Sequence, residues 1–227
     1  GAVDRWDPFS VSCWVHVPTG LPRVVLVHRS KAWLDACGQG WEVTIDEGRL
    51  RFLLCHFWPG DAASIRTRAD FPRGRWVQIT ATHDGSGRAG GLQLYLDGVA
   101  ADTEVERDHL TRTIAGGGGS LELGARFRDN GLAGGRVDEV RLFDRALSAL
   151  EVAQVFGAPV ANPDEAQRKA HYLAAVDAPL AAARAALRTA RAEAGRAKDA
   201  ITAIMTMAEQ PAPRETWVLD RGEYTAP

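Results

Sequence analysis

The stretch Gly74–Val99, GRWVQITATHDGSGRAGGLQLYLDGV, holds two strand-like runs, WVQITATHD and LQLYLD, each closing on an Asp-Gly pair. Neither run carries a helical period, and Asp-Gly is turn chemistry, so the segment reads as two short β-strands with tight turns. The same pattern recurs outward on both sides. FSVSCWVHV, RVVLVHR, WEVTI, RLRFLLC and SIRTRA precede it, SLELGAR and GRVDEVRLFD follow it, and Asp46-Glu47-Gly48 adds another turn. Many short strands at regular spacing without an intervening helix predict an all-β, two-layer antiparallel sandwich of the jelly-roll kind.

Alternation in the first strand predicts which residues are buried. Phe9, Val11, Cys13 and Val15 share one face and belong to the core, while Ser10, Ser12, Trp14 and His16 share the other. Trp14 there either covers a second layer or lines a concave surface.

Helical signals begin only after the strands. In RALSALEVAQVFG, Ser148 and Glu151 have the spacing of a capping box and Gly157 follows as a stop, which predicts a short closing helix. Asn162 as cap, Pro163 at the first helical position, and Asp164 with Glu165 in the first turn predict a second helix of about four turns ending near Val176-Asp177-Ala178-Pro179. A longer helix then starts near Leu180. With Leu180 at heptad position a, the a and d residues are Leu180, Ala183, Leu187, Ala190, Ala194, Ala197, Ile201 and Ile204, an alanine-rich coiled-coil seam without a charge. The shorter helix can cover only part of this seam, so Leu180, Leu187, Ile201 and Ile204 are expected to pair with a second copy or a neighbouring domain. The chain therefore divides into a sandwich over 1–157, a helical hairpin over 158–210 and an extended arm over 211–227.

Composition narrows the function classes. The chain has 227 residues, 45% of them hydrophobic, and a formal net charge of −2, so it offers no general field for nucleic acid and no run long enough for a membrane span. The opening GAVDRWDPFS lacks the regions of a signal peptide, and the chain reads as an excised or mature segment. Cys13, Cys37 and Cys55 form no C-x-x-C or His/Cys pattern, which excludes a zinc or haem motif and allows at most one internal disulfide.

FSVSCWVHV, the Gly74–Val99 stretch and LELGARFRDNGLAGGRVDEVRLFDRALSALEV together resemble the laminin-G-like, concanavalin-A-like lectin/glucanase jelly roll. The resemblance covers about residues 7–157. VVLVHRSKAWLDA, HFWPGDAASIR, LGARFRDNG and the tail ITAIMTMAEQPAPRETWVLDRGEY resemble, more narrowly, the insert and linker of large planctomycete cytochrome-C-associated proteins with domains of unknown function. That resemblance implies an exported parent and neighbouring domains as partners. It implies no haem in this segment, which lacks C-x-x-C-H.

The same sandwich hosts glycoside hydrolases, but retaining hydrolysis needs two carboxylates facing across a cleft. No such array is visible: Glu42 stands alone in WEVTI, and Asp138 and Glu139 are adjacent and so face opposite ways. A non-catalytic module is expected, with no required cofactor. The resemblance implies a rim site for calcium, for which Asp138, with Asp4, Asp7 and Asp129, supplies hard oxygens. If three loops converge, Arg29, Trp33 and Asp35, His56, Trp58 and Asp61, and Arg126 and Arg128 form a polysaccharide site, with rings to cover pyranose faces and planar polar groups to bond hydroxyls. The competing expectation is an Arg-Trp-Asp-His network that pins the loops together.

Overall fold

A computed structural model describes residues 3–31, 38–116, 120–202 and 204. Its strands are β1 Phe9–His16, β2 Val24–Ser30, β3 Gly40–Asp46, β4 Arg49–Phe57, β5 Asp61–Thr67, β6 Trp76–His83, β7 Leu92–Leu96, β8 Val99–Ala100, β9 Thr103–His109, β10 Glu122–Leu123 and β11 Arg136–Phe143. They form two antiparallel sheets, one ordered β11-β1-β6-β7-β8 and the other β10-β2-β3-β4-β5-β9. The result is the expected β-sandwich, consistent with a jelly roll. Its core follows the alternation: Phe9, Val11, Cys13 and Val15 of β1 meet Trp41, Val43 and Ile45 of β3 and Leu50, Phe52 and Leu54 of β4.

Strand β9 has no counterpart among the sequence expectations. Its heptapeptide TEVERDH is largely exposed at the edge of the six-stranded sheet, where charges rather than alternating apolar residues are the rule. Conversely, SLELGAR contributes only the two-residue β10 before the chain turns away.

Helix α1, Ala149–Phe156, has the predicted capping box between Ser148 and Glu151, and Gly157 ends it in the left-handed conformation. It covers the outer face of the five-stranded sheet through Tyr95, Leu147 and Val152. Trp14 belongs to that second layer, its ring 5.6 Å from Phe156. Beneath the helix lies a buried polar strip in which Gln78 donates to Ser12 Oγ at 2.6 Å.

The helical extension departs from expectation. Helix α2, Glu165–His171, starts at Asp164 rather than Asn162, because Asp164 and Gln167 complete a reciprocal capping box. A single π turn, Tyr172–Val176, follows, and α3, Ala178–Asp199, begins on the Asp177 cap with Pro179 accommodated in its first turn. The two arms meet at their junction, where Arg184 Nη1 donates to Leu173 O at 2.8 Å. The heptad seam is not covered along its length: Leu187, Ile201 and Ile204 are 49%, 64% and 79% exposed. Helix α3 meets the sandwich through a different face. Arg188 pairs with Asp7 at 2.6 Å, Asp199 accepts from Thr113 N at 3.3 Å, and Arg191 lies 5.6 Å from the Trp6 ring centroid. Gly195 makes the approach possible, since a Cβ there would stand 2.9 Å from Trp6 Nε1. The expected arm at 211–227 lies outside the described residues.

His83, at the end of β6, fastens the N-terminal segment to the sandwich. Its Nδ1 donates to Asp7 O at 3.1 Å and its Nε2 accepts from Gly87 N at 3.2 Å, a pattern only the neutral ring satisfies. Burial pushes its pKa from 6.5 down to about 4, against the opposing pull of Asp84 and Asp7. The unfolded chain therefore binds the extra proton first as pH falls. Stability is full above about pH 6.5 and is lost towards pH 4, by about 3 kcal/mol for this group. Thermal unfolding followed across that window should show the loss, and His83→Gln should flatten the slope between pH 6.5 and 4; an unchanged slope in the variant would assign the acid sensitivity elsewhere.

Candidate functional site

Strand alternation that buries the core places a second set of side chains on the outer face of the six-stranded sheet: Glu42, Thr44 and Asp46 from β3, Arg51, Leu53 and Cys55 from β4, and Ala62, Ser64 and Arg66 from β5. Two segments rise over this face. The turn after β4 brings Trp58 onto Leu53, Cys55 and Ala62. The segment following β10 folds back over β2, fixed by Gly124 N donating to Leu26 O at 2.8 Å and Val25 N donating to Asn130 O at 3.0 Å.

This second segment delivers Arg126 and Asp129 into a closed ring of alternating charges. Arg51 Nη2 donates to Glu42 Oε1 at 2.9 Å, and Arg51 Nη1 lies 3.0 Å from Asp46 Oδ2. Arg23 Nη1 lies 2.9 Å from the same Asp46 oxygen, and Arg23 Nε donates to Asp129 Oδ1 at 2.9 Å. Arg126 Nε donates to Asp129 Oδ2 at 3.0 Å, and its Nη1 bonds Glu42 Oε2, which closes the circuit. Glu42, Arg51 and Arg126 are buried. A buried ion is tolerated only when paired and bonded, and here every member faces opposite charge on both sides. Burial alone would raise the Asp129 carboxyl, but hydrogen bonds from Arg23, Arg126 and Asn130 N hold it well below the usual carboxylate range.

Above the ring lies a cleft of ≈ 550 Å³ lined by Arg23, Asp46, Glu47, Arg51, Trp58, Arg66, Glu106, Arg128, Asp129 and Asn130. Trp58 is half-buried at its wall, with the guanidinium carbons of Arg51 and Arg107 at 5.2 and 5.4 Å from the ring centroid. Arg128, held at φ +56°, is exposed at the margin and packs over Phe127 at 5.2 Å. The cleft offers one aromatic wall and a floor of fixed donors and acceptors. The carboxylates around the cleft, Asp46, Glu47, Glu106 and Asp129, all lie within ion-pair reach of arginine.

The structure separates the predicted rim cluster. Trp58 and Arg128 share the cleft, and Arg126 lies beneath it as part of the ring, its donors committed to Glu42, Asp129 and Ser30. His56 and Asp61 do not reach the cleft. His56 Nδ1 donates to Thr113 O at 2.7 Å, and Asp61 accepts from Thr111 N at 2.5 Å and Thr111 Oγ1 at 2.8 Å, so both anchor one loop. Arg29 lines a different cavity, beside Trp41. Trp33 and Asp35 lie outside the described residues. Asp138 is exposed and accepts from Glu139 N at 2.8 Å within strand β11, beside the bulge in its pairing with β1. Among the described residues no group of three His, Cys, Asp or Glu side chains is placed to hold a metal ion. The residues the sequence reading missed, chiefly Arg23, Asp46 and Arg51, left a signal: polar residues at Glu42, Thr44 and Asp46, and arginines at 49 and 51, repeat with the two-residue period of one sheet face.

Residues 3–153 match the sequence family described as the concanavalin A-like lectin/glucanases superfamily. No curated protein matches the chain. Among solved structures, it is similar to the binding domain of Paraclostridial Mosquitocidal Protein 1, with 20% identity and TM-score 0.49, over 68% of this chain and 38% of that one. It is also similar to the Botulinum neurotoxin serotype D binding domain, with 15% identity and TM-score 0.46, over 69% of this chain and 36% of that one. The chain thus spans little more than a third of the length of these solved chains.

Removing one member of the ring should cost far more than a surface ion pair. Arg126→Met leaves Glu42 buried beside a single arginine and should destabilise the sandwich by about 3–5 kcal/mol in urea unfolding. Adding Glu42→Gln should recover part of that loss. A single-variant loss below about 1 kcal/mol would show that the ring behaves as an exposed surface pair.

Proposed function

Because the chain belongs to the concanavalin A-like lectin/glucanases superfamily, we propose that it is a non-catalytic binding module that holds a carbohydrate in the cleft over its six-stranded sheet. One observation carries this reading: a half-buried tryptophan stands at the wall of a cleft whose floor is a ring of paired charges. A ring face covers the apolar C–H surface of a sugar, and fixed guanidinium and carboxylate groups bond its hydroxyls. Arg23, Arg51, Arg66 and Arg128 balance Asp46, Glu47, Glu106 and Asp129 around the cleft, so it presents no net charge. An uncharged polysaccharide suits it better than an acidic one. Calcium at Asp138 has no role in this reading.

The resemblance of HFWPGDAASIR, LGARFRDNG and the C-terminal tail to planctomycete cytochrome-C-associated proteins places the module, in our reading, within a larger exported protein. The division into a sandwich over 1–157, helices over 158–210 and an arm over 211–227 belongs to the same proposal.

A second reading, an insert that organises neighbouring domains or copies, draws on the exposed apolar stripe of Leu187, Ile201 and Ile204. Leu180 extends that stripe, and a coiled-coil pairing of two copies would cover it.

Each reading has its own measurement. Neutral polysaccharide should quench the tryptophan fluorescence, and Trp58→Ala should weaken binding by about 1–3 kcal/mol, by analogy with stacking on aromatic side chains, without unfolding the sandwich. A broad glycan array with no signal above background would remove the carbohydrate reading. For the second reading, sedimentation should show self-association at high concentration that Leu187→Glu together with Ile201→Glu abolishes. A strict monomer would mean that two copies do not share the stripe.

A further inference from the structure

Where α3 leans over the sandwich, an open groove of ≈ 530 Å³ separates it from the turn after β6. Trp6 and Leu147 supply apolar lining from the sandwich side, and Ala181, Ala185 and Leu187 supply it from the helix. All of residues 181–190 are exposed, so the helix wall is apolar surface left in water. Four arginines, Arg145, Arg184, Arg188 and Arg191, also line the groove, against one carboxylate, Asp84. Arg145 is paired with Glu151 and Arg188 with Asp7, each at 2.6 Å. Arg184 donates to a backbone carbonyl, Leu173 O, and Arg191 packs on the Trp6 ring, so neither meets a carboxylate among the described residues. A segment that suits this groove is apolar along its middle and acidic at its flanks.

The chain carries such a segment beyond the described residues. Glu215-Thr216-Trp217-Val218-Leu219-Asp220 sets three apolar side chains between two carboxylates. Over 205–227 there are four carboxylates and two arginines, a net charge opposite in sign to that of the groove lining. Reach is ample. Trp217 stands 13 residues beyond Ile204, about 43 Å of fully extended chain. Arg191 and Arg184 lie only about 12 and 23 Å back along α3 from Asp199. We propose that residues 214–223 of the same chain occupy this groove, with Trp217, Val218 and Leu219 against its apolar walls and Glu215 and Asp220 beside Arg184 and Arg191. The groove shares no lining residue with the carbohydrate cleft, so the proposal stands or falls independently of that reading. Leu187 also belongs to the stripe that two copies would share, and the effect of dilution separates the two.

Amide hydrogen exchange of the full chain, read by mass spectrometry at two concentrations about a hundredfold apart, tests this. Residues 214–223 should exchange at least about tenfold more slowly than a free peptide of the same sequence, and equally slowly at both concentrations. Glu215→Arg with Asp220→Arg, two changes outside the sandwich, should abolish the protection while the strands keep theirs. Adding Arg184→Glu with Arg191→Glu should restore it, because the charges then face one another in reverse. Unprotected exchange of 214–223 in the unaltered chain, protection that falls on dilution, or protection indifferent to the tail variant would overturn the inference. So would a charge swap that restores nothing in a chain whose strands remain protected.

Discussion

The outer face of the six-stranded sheet depends on the pairing of charges that the fold has taken out of water. Glu42, Arg51 and Arg126 are buried, and each alone would be a severe cost to folding. Linked through Asp46, Arg23 and Asp129 they form a neutral circuit in which every charge is held by its neighbours. Such a circuit contributes less to net stability than an apolar patch of the same size would. Its effect is on specificity of structure. The segment that carries Arg126 and Asp129 can sit over β2 and β3 in one register, because any other leaves a buried charge unpaired.

That constraint shapes the cleft. With Arg126 committed to the ring, the cleft above it is lined by Trp58 at the wall, Arg128 at the margin and the paired carboxylates and guanidiniums. Groups paired in this way are held in place before anything else meets them. The same pairing keeps Asp129 ionised, its carboxyl held below the ordinary carboxylate range by Arg23, Arg126 and Asn130 N.

The helical extension follows a different logic. Among the described residues, helix α3 rests on the sandwich through Gly195 against Trp6, the Arg188–Asp7 ion pair and the Asp199–Thr113 hydrogen bond, and leaves Leu187 half-exposed. Small residues let two backbones approach but bury little area, so the dock positions the helix more than it stabilises it. His83 belongs to the same arrangement: by holding Asp7 O it sets the segment on which Arg188 lands.

Local patterns determined much of this protein by themselves. The two-residue period of β1 assigned Phe9, Val11, Cys13 and Val15 to the core, and Ser148, Glu151 and Gly157 marked the ends of α1, because burial and capping are decided within one element. The edge strand β9 was hidden because charge at a sheet edge carries no apolar alternation. The site was only partly legible. Trp58 and Arg128 stand out in sequence, but Glu42 seemed alone in WEVTI, and Arg23 lies 106 positions from the Asp129 it binds. Which carboxylate meets which guanidinium is settled by how two loops cross a sheet, and His56 and Asp61, close to Trp58 in the chain, turn instead to Thr113 and Thr111. Tertiary structure alone decided these pairings, since an ion pair depends on distance in space and a local sequence pattern carries none of that information.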